Sequence, residues 1–285
     1  MVSSEPENKV RKILITDCAD AKGLIAKITS VCFAHQLNII KNTEFVDRIQ
    51  GRFFMRTVLE GVFDDASLLS ALRQVLPAQN HTKLVAADKK RIVVMVTKEA
   101  HCLGDLLMKA YYGGLDVEIA AVVGNYDNLR NLTEKFDIPF HHVCHQGLDR
   151  LEHEQAILQI VNGYQPDYVV LAKYMRVLTP EFVNAYPDKI INIHHSFLPA
   201  FIGASPYKQA WERGVKIIGA TAHFVNDCLD EGPIIKQDVI SVDHTFSAEE
   251  MAHNGRDVEK SVLSKALQLV LNEQVIVYGN KTVVF

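Results

Sequence analysis

Between Lys189 and Asp238 the chain gathers the side chains best suited to chemistry on a carbonyl group: Asn192, His194, His195, His223 and Asp230. They stand at or beside the ends of two apolar, strand-like runs, KIINIHHS and VKIIGATAHFVN, and in the polar loop CLDEGP. Residues two apart in a strand share a face, so Asn192 and His194 emerge together while Ile191 and Ile193 face the other way. An Asn amide donates to a carbonyl oxygen as it becomes anionic, and a protonated imidazole stabilises the same charge. A carboxylate such as Asp230 can hold the imidazole, raise its pKa and accept a proton from water. No serine or cysteine is placed as a nucleophile, so the set points to attack by water or by a bound acceptor. Pattern alone leaves a plainer reading open: a strand His can be a satisfied core residue, and Asp230 in DEGP can simply make a turn. His195 and His223 read as support for the central three. Gly203 reads as a tight turn before a helix at Ser205 to Arg213.

These residues need a scaffold, and the chain from Arg91 onward describes one. RIVVMVT, VEIAAVVGN and DYVVLA are apolar at consecutive positions, as expected of parallel strands buried on both faces. Helix-like stretches alternate with them, which predicts α/β architecture, a Rossmann-like open sheet with helices on both sides. Ligands in such sheets sit beyond the carboxyl ends of strands, where Lys173-Tyr174-Met175-Arg176 and Asn192-Ile193-His194 fall. HHVCH, with His141, His142, Cys144 and His145, imitates a metal cluster. On a strand, however, His141 and His142 face opposite sides, and neither a CxxC pair nor HExxH accompanies them. No metal site is expected. GxGxxG and GxxxxGK[ST] are both missing, which argues against a dinucleotide or P-loop phosphate site.

The first ninety residues have another rhythm. RKILITDC reads as a strand and LIAKITSVCFAHQ as a helix. Two strands follow about a turn at Ile49-Gln50-Gly51, then a helix over Asp64 to Leu76 stopped by Pro77, then the strand HTKLVAA. The order βαββαβ is ferredoxin-like. Polar PAQNHTKLVAADKKR carries the boundary, which divides the chain into 1–87 and 88–285. A chain of 285 residues accommodates two domains, and its net charge of −4 gives no electrostatic reason for a nucleic-acid partner. No apolar run reaches the roughly 18 residues of a bilayer span, and MVSSEPENKVRK lacks the apolar core of a signal peptide. Five scattered cysteines without a CxxC pair predict buried, reduced thiols in a cytoplasmic protein.

The N-terminal order, with Asp20-x-x-Gly23-Leu24 entering the first helix, resembles ACT domains. These regulatory modules pair through their sheets and often bind amino acids between the first turn and a partner subunit. The resemblance implies effector contacts at Asp20, Gly23 and Asn38 and a homo-oligomer. Read plainly, Gly23 would only relieve backbone strain and Asp20 only cap the helix.

NIHHSFLP followed by HFVNDCLDEGPII resembles the folate-dependent formyltransferase fold shared by glycinamide ribonucleotide transformylase and methionyl-tRNA formyltransferase. The resemblance implies catalytic roles for Asn192, His194 and Asp230. It implies a folate site at Met175, Arg176, Val177 and Leu178, with His223 near the catalytic Asp. Two positions depart from the transformylase pattern. Lys98 to Leu103 replaces a Gly- and Ser-rich phosphate loop, and His195 replaces a proline. An ACT-like module joined to this fold, with EAHCLGDLL and HHSFLP, is similar to the formyltetrahydrofolate deformylases. That resemblance implies hydrolysis of 10-formyltetrahydrofolate to formate and tetrahydrofolate, with no cofactor beyond the folate substrate. It also implies formate supply for purine synthesis, balancing of one-carbon pools, and glycine or methionine as effector.

Overall fold

A computed structural model describes residues 10–201 and 205–285. The chain divides into two compact units. One holds the residues up to Asp88 with Asn272–Gln274 and Phe285, the other Lys89–Leu271 with Val275–Val284.

In the first unit the elements are β1 (Val10–Ala19), α1 (Leu24–Ala34), β2 (Asn38–Asp47), β3 (Arg52–Gly61), α2 (Asp65–Val75) and β4 (His81–Ala86). The four strands form one antiparallel-paired sheet in the order β2-β3-β1-β4. Both helices pack on it through Leu24, Ile28 and Cys32 of α1 and Leu68 and Leu72 of α2, spaced at helical intervals and buried. Asp64 caps α2 by accepting from the Ser67 amide at 3.1 Å. At α1 the N-cap is Gly23, with a φ of 81° in the left-handed region that glycine adopts without a Cβ clash. No side chain caps that helix, so Asp20 does not have the capping role its position suggested.

The second unit contains β5 (Lys90–Val96), α3 (His101–Tyr111), β6 (Val117–Gly124), α4 (Arg130–Glu134), β7 (Phe140–His142), α5 (Arg150–Tyr164), β8 (Tyr168–Ala172), α6 (Pro180–Ala185), β9 (Ile190–His194), α7 (Pro206–Arg213), β10 (Ile217–Phe224), β11 (Ile234–Ser241), α8 (Ala248–Leu271), β12 (Val275–Tyr278) and β13 (Lys281–Val284). Seven strands form one sheet in the order β11-β10-β9-β8-β5-β6-β7. The five from β9 to β7 run parallel, whereas β10 and β11 are antiparallel additions at one edge. After β5 the chain builds β6 and β7 on one side, then returns to lay β8 on the other. That reversal opens a crevice at the carboxyl ends of β5 and β8. The strands are held by burial on both faces: Val93 to Val96 of β5 are inaccessible to solvent. Leu103, Leu106 and Leu107 of α3 and Val262, Leu263, Ala266 and Leu267 of α8 cover one face. Fully burying a leucine is worth about 1.5–3 kcal/mol. Among the described residues, no helix is long and apolar enough to cross a membrane.

Candidate active site

Strand β9 delivers Asn192 and His194 to the same side, and β10 runs antiparallel beside it. His223 therefore stands opposite Asn192, and Thr221 opposite His194. The β10–β11 register shifts at Ala222/His223, a bulge of the kind that re-aims a side chain beside a functional site. Asp230 arrives from the loop between these strands and places Oδ1 3.2 Å from His194 Nδ1 and 3.8 Å from His223 Nε2. His223 Nδ1 lies 2.8 Å from the Phe224 carbonyl and can only donate there. Its Nε2 is thereby left to accept from the Asn192 amide nitrogen at 3.3 Å. This single tautomer orients the Asn192 side chain. Among the described residues His194 Nε2 has no hydrogen-bond partner and is closed off from solvent, a costly state for a buried polar atom unless a ligand group completes it.

Backbone chemistry fixes the loop. Asp230 adopts a φ of 58°, uncommon for a residue with a side chain, which over-determination by its surroundings must maintain. Gly232 permits the return onto β10, since a Cβ there would lie 1.7 Å from the Phe224 carbonyl oxygen. The Phe224 amide then donates to Pro233 O at 2.9 Å. On the other side, the turn after His194 is tied to β10. Buried Thr221 accepts from the Leu198 amide at 3.1 Å and donates to Ser196 O at 2.8 Å, while Gln237 Nε2 donates to both Thr221 Oγ1 and Leu198 O at 2.9 Å.

Electrostatics separate the roles. Burial by itself pushes the Asp230 carboxyl up, but the hydrogen bond and charge of His194 outweigh it and hold it below the ordinary range. Burial holds His223 below the usual imidazole value, against the pull of its bond to Phe224. His195 is pushed down to about 4 by burial and by the Lys173 charge.

A cavity of about 320 Å³ opens over these groups, bordered by Met175, Val177 and Leu178 as well as Asn192, His194 and Asp230. Met175 and Val177 are 56% and 50% exposed at its rim, which leaves apolar surface for a flat ring to cover. Their segment is rigidly held. The Met175 amide donates to Thr97 Oγ1 at 2.9 Å, Arg150 donates to Val177 O, and the Thr179 amide donates to the buried Glu154 carboxylate at 3.0 Å. Arg176 is half-buried on the same segment. His195 lines the cavity next to His194, with ring centroids 5.3 Å apart. Gly203 lies outside the described residues.

Some residues fall elsewhere. Asp20 and Gly23 share the turn after β1, but Asn38 begins β2 at the other end of the sheet. Register pairs Asn38 with Glu60, and Glu60 with Arg11, whereas Ala19 pairs with Arg52. Eight or so strand steps separate the two ends, about 25–30 Å, so one copy cannot bring all three to a single ligand. The histidines of HHVCH diverge: His141 bonds Tyr164 at 2.7 Å, His142 faces Asp127 and His145 packs on Tyr126. Cys18, Cys32 and Cys102 are buried, but Cys144 and Cys228 are exposed, against the expectation of buried thiols, because both sit on loops. All five thiols are free.

Sequence reading missed a charged cluster beside the site. Glu259, on α8, accepts from Tyr207 and from His101 Nε2, each at 2.7 Å, and pairs with Lys173 at 3.2 Å. Burial raises its carboxyl, but these partners more than offset that and hold it at about 2. A signal was available: Glu259 interrupts the buried stripe Gly255, Val258, Val262 with a charge. His101, Cys102 and Glu259 have metal-like proximity. The Lys173 ammonium already occupies Glu259, however, and burial keeps the Cys102 thiol protonated, so the donor set does not suit a cation.

The Formyl transferase family matches residues 90–267 and the ACT domain family residues 12–77. A formyltetrahydrofolate deformylase of Escherichia coli is 67% identical over 274 residues, covering 96% of this chain and 98% of the relative. The crystal structure of a formyltetrahydrofolate deformylase from Pseudomonas syringae superposes with a TM-score of 0.92 at 40% identity, covering 98% of this chain and 95% of that one. A glycinamide ribonucleotide transformylase from Symbiobacterium toebii matches at a TM-score of 0.67 and 28% identity, over 69% of this chain and 94% of its own. With an ACT domain ahead of a formyltransferase fold, and identity of this order along nearly its whole length, the chain belongs to the formyltetrahydrofolate deformylase family.

Proposed function

We propose that the chain hydrolyses 10-formyltetrahydrofolate through Asn192, His194 and Asp230, with the pteridine held by the Met175-Arg176-Val177-Leu178 segment. The observation that carries this is the convergence of an amide, an imidazole and a low-pKa carboxylate on the floor of one apolar-rimmed cavity. The Asn192 amide and His194 draw charge onto the formyl oxygen. Asp230 holds His194 and accepts a hydrogen bond from water. Its depressed pKa makes it a transient carrier of the water proton, not a resting place. The water oxygen bonds to the formyl carbon, the carbon–N10 bond breaks, N10 takes the proton, and formate leaves. The reaction so written uses no cofactor beyond the folate substrate. His195 and His223 support the set, His223 by orienting Asn192.

Water would be the acceptor because the turn after β5 and the first residue of α3 carry Glu99 and His101 where the transformylase pattern has phosphate-cradling glycines. The chain would thereby release formate for purine synthesis and balance one-carbon pools in the cytoplasm. Incubation with 10-formyltetrahydrofolate alone and with glycinamide ribonucleotide tests the reading. Formate should form at the same rate in both, and formate that required the amine would sink it.

The ACT unit would sense glycine or methionine at Asp20, Gly23 and Asn38. Because one copy keeps Asn38 away from the other two, the site would be completed by a second chain, which makes a homo-oligomer part of the same proposal. Equilibrium dialysis with labelled glycine and methionine should show binding that Asp20→Ala and Asn38→Ala each abolish. Unaltered binding in both variants would remove these residues.

A further inference from the structure

A second cavity, also of about 320 Å³, adjoins the folate-side cavity. The two share Lys173, Met175 and His195, and the second is walled further by Glu99, Tyr207 and Glu259. With a pteridine filling the first cavity, the second is the space through which a nucleophile can approach the formyl carbon.

Lys173 stands on that boundary. It is only 4% exposed, with its ammonium 3.2 Å from Glu259 and 3.7 Å from Glu99. Its backbone takes a φ of 60°, a left-handed conformation that is unfavourable for a residue with a Cβ. Glu259 is 1% exposed and held rigidly by Tyr207 and His101. Room for Tyr207 comes from Gly255, where a Cβ would lie 2.0 Å from the phenol oxygen. On the outer edge, Arg256 lies 3.4 Å from Glu99. Buried ion pairs of this kind return little net stability, because desolvation consumes most of the Coulombic gain. What the arrangement does achieve is an ammonium fixed in place between two cavities.

We infer that Lys173, clamped by Glu259 and Glu99, is a specificity-determining residue: its side chain fills the approach from the second cavity, passing water and refusing an amine acceptor. Volume and charge act together. The lysine stem occupies the space an acceptor would need, and its ammonium repels an amine that arrives protonated. This inference rests on the hydrolytic reading above.

The test uses the full chain with 10-formyltetrahydrofolate and excess glycinamide as probe acceptor. Tetrahydrofolate, formate and N-formylglycinamide are each quantified. In transfer, the amine nitrogen bonds to the formyl carbon, the carbon–N10 bond breaks, and the proton lost by the amine goes to N10. Each tetrahydrofolate released is therefore matched by one formate or one amide. The unaltered chain should yield formate. Lys173→Gly, which also relaxes the left-handed backbone, should raise the amide-to-formate ratio at least about tenfold. Lys173→Met, which retains volume and drops the charge, should raise it less. An unchanged ratio in Lys173→Gly while tetrahydrofolate is still released would overturn the inference. So would loss of tetrahydrofolate release in both variants, which would place Lys173 in the chemistry itself. Failure of the hydrolytic reading shows separately, as no formate from the unaltered chain without an amine.

Discussion

Asn192 and His194 point the same way because they are two apart on β9, yet their chemistry depends on partners that arrive from β10 and from the loop beyond it. Removing the amide in Asn192→Ala should lower kcat about 10²–10³-fold, the usual loss for one oxyanion donor, with KM little changed. Asp230→Asn keeps the shape but loses the negative charge that holds His194, and should lose at least about 10²-fold in kcat while still binding folate. Near-normal turnover in that variant would remove Asp230 from its role. His195 makes a pH prediction. Its folded value of about 4 lies below the ordinary imidazole value of about 6.5. Between those values the unfolded chain binds a proton that the folded one refuses, so stability falls as pH drops from about 6.5 towards 4. The groups acting on the ring are Lys173 and His194, which lower it, and Glu259 and Asp230, which raise it. Up to about 3 kcal/mol is at stake, less where water reaches the ring. Urea midpoints at about pH 7 and pH 4.5 should converge in His195→Asn relative to the unaltered chain; an equal drop in both would refute the assignment. The shared face of Asn192 and His194 was legible because strand period is local. The tautomer of His223 and the clamp on Lys173 were not, because both depend on which atoms meet across 31 and 86 positions of sequence.

Among the elements, apolar runs alternating with helical spacing already described β5, β6 and β8, since parallel strands buried on both faces are apolar at nearly every position. The antiparallel edge formed by β10 and β11 was less legible, because pairing direction leaves no mark on a single apolar run. It matters here: antiparallel β10 puts His223 against Asn192, and its hairpin with β11 carries Asp230. Gly232 is the hinge of that arrangement. Gly232→Ala must move the loop to relieve a 1.7 Å approach to Phe224 O. We expect a loss of about 1–3 kcal/mol in stability, by the overpacking mechanism, and a larger fractional loss in kcat than in Tm. Urea denaturation and steady-state kinetics on the same sample would show both. A variant with normal kcat would mean that the loop position is not critical. Glu259 on α8 illustrates a signal that period analysis can supply once a charge is noticed on a buried stripe.

At the scale of the molecule, an ACT unit and a formyltransferase-fold unit share one chain. Fold and family follow from the whole length, whereas the choice of acceptor depends on a few side chains around Glu99, Lys173 and His195. The central claim is that water supplies the second oxygen of the product. Single-turnover reaction of 10-formyltetrahydrofolate in ¹⁸O-labelled water, without any amine present, measures this directly by mass spectrometry of the formate. Formate should carry one labelled oxygen for every tetrahydrofolate released. Tetrahydrofolate released without labelled formate, or no release until an amine is added, would contradict it.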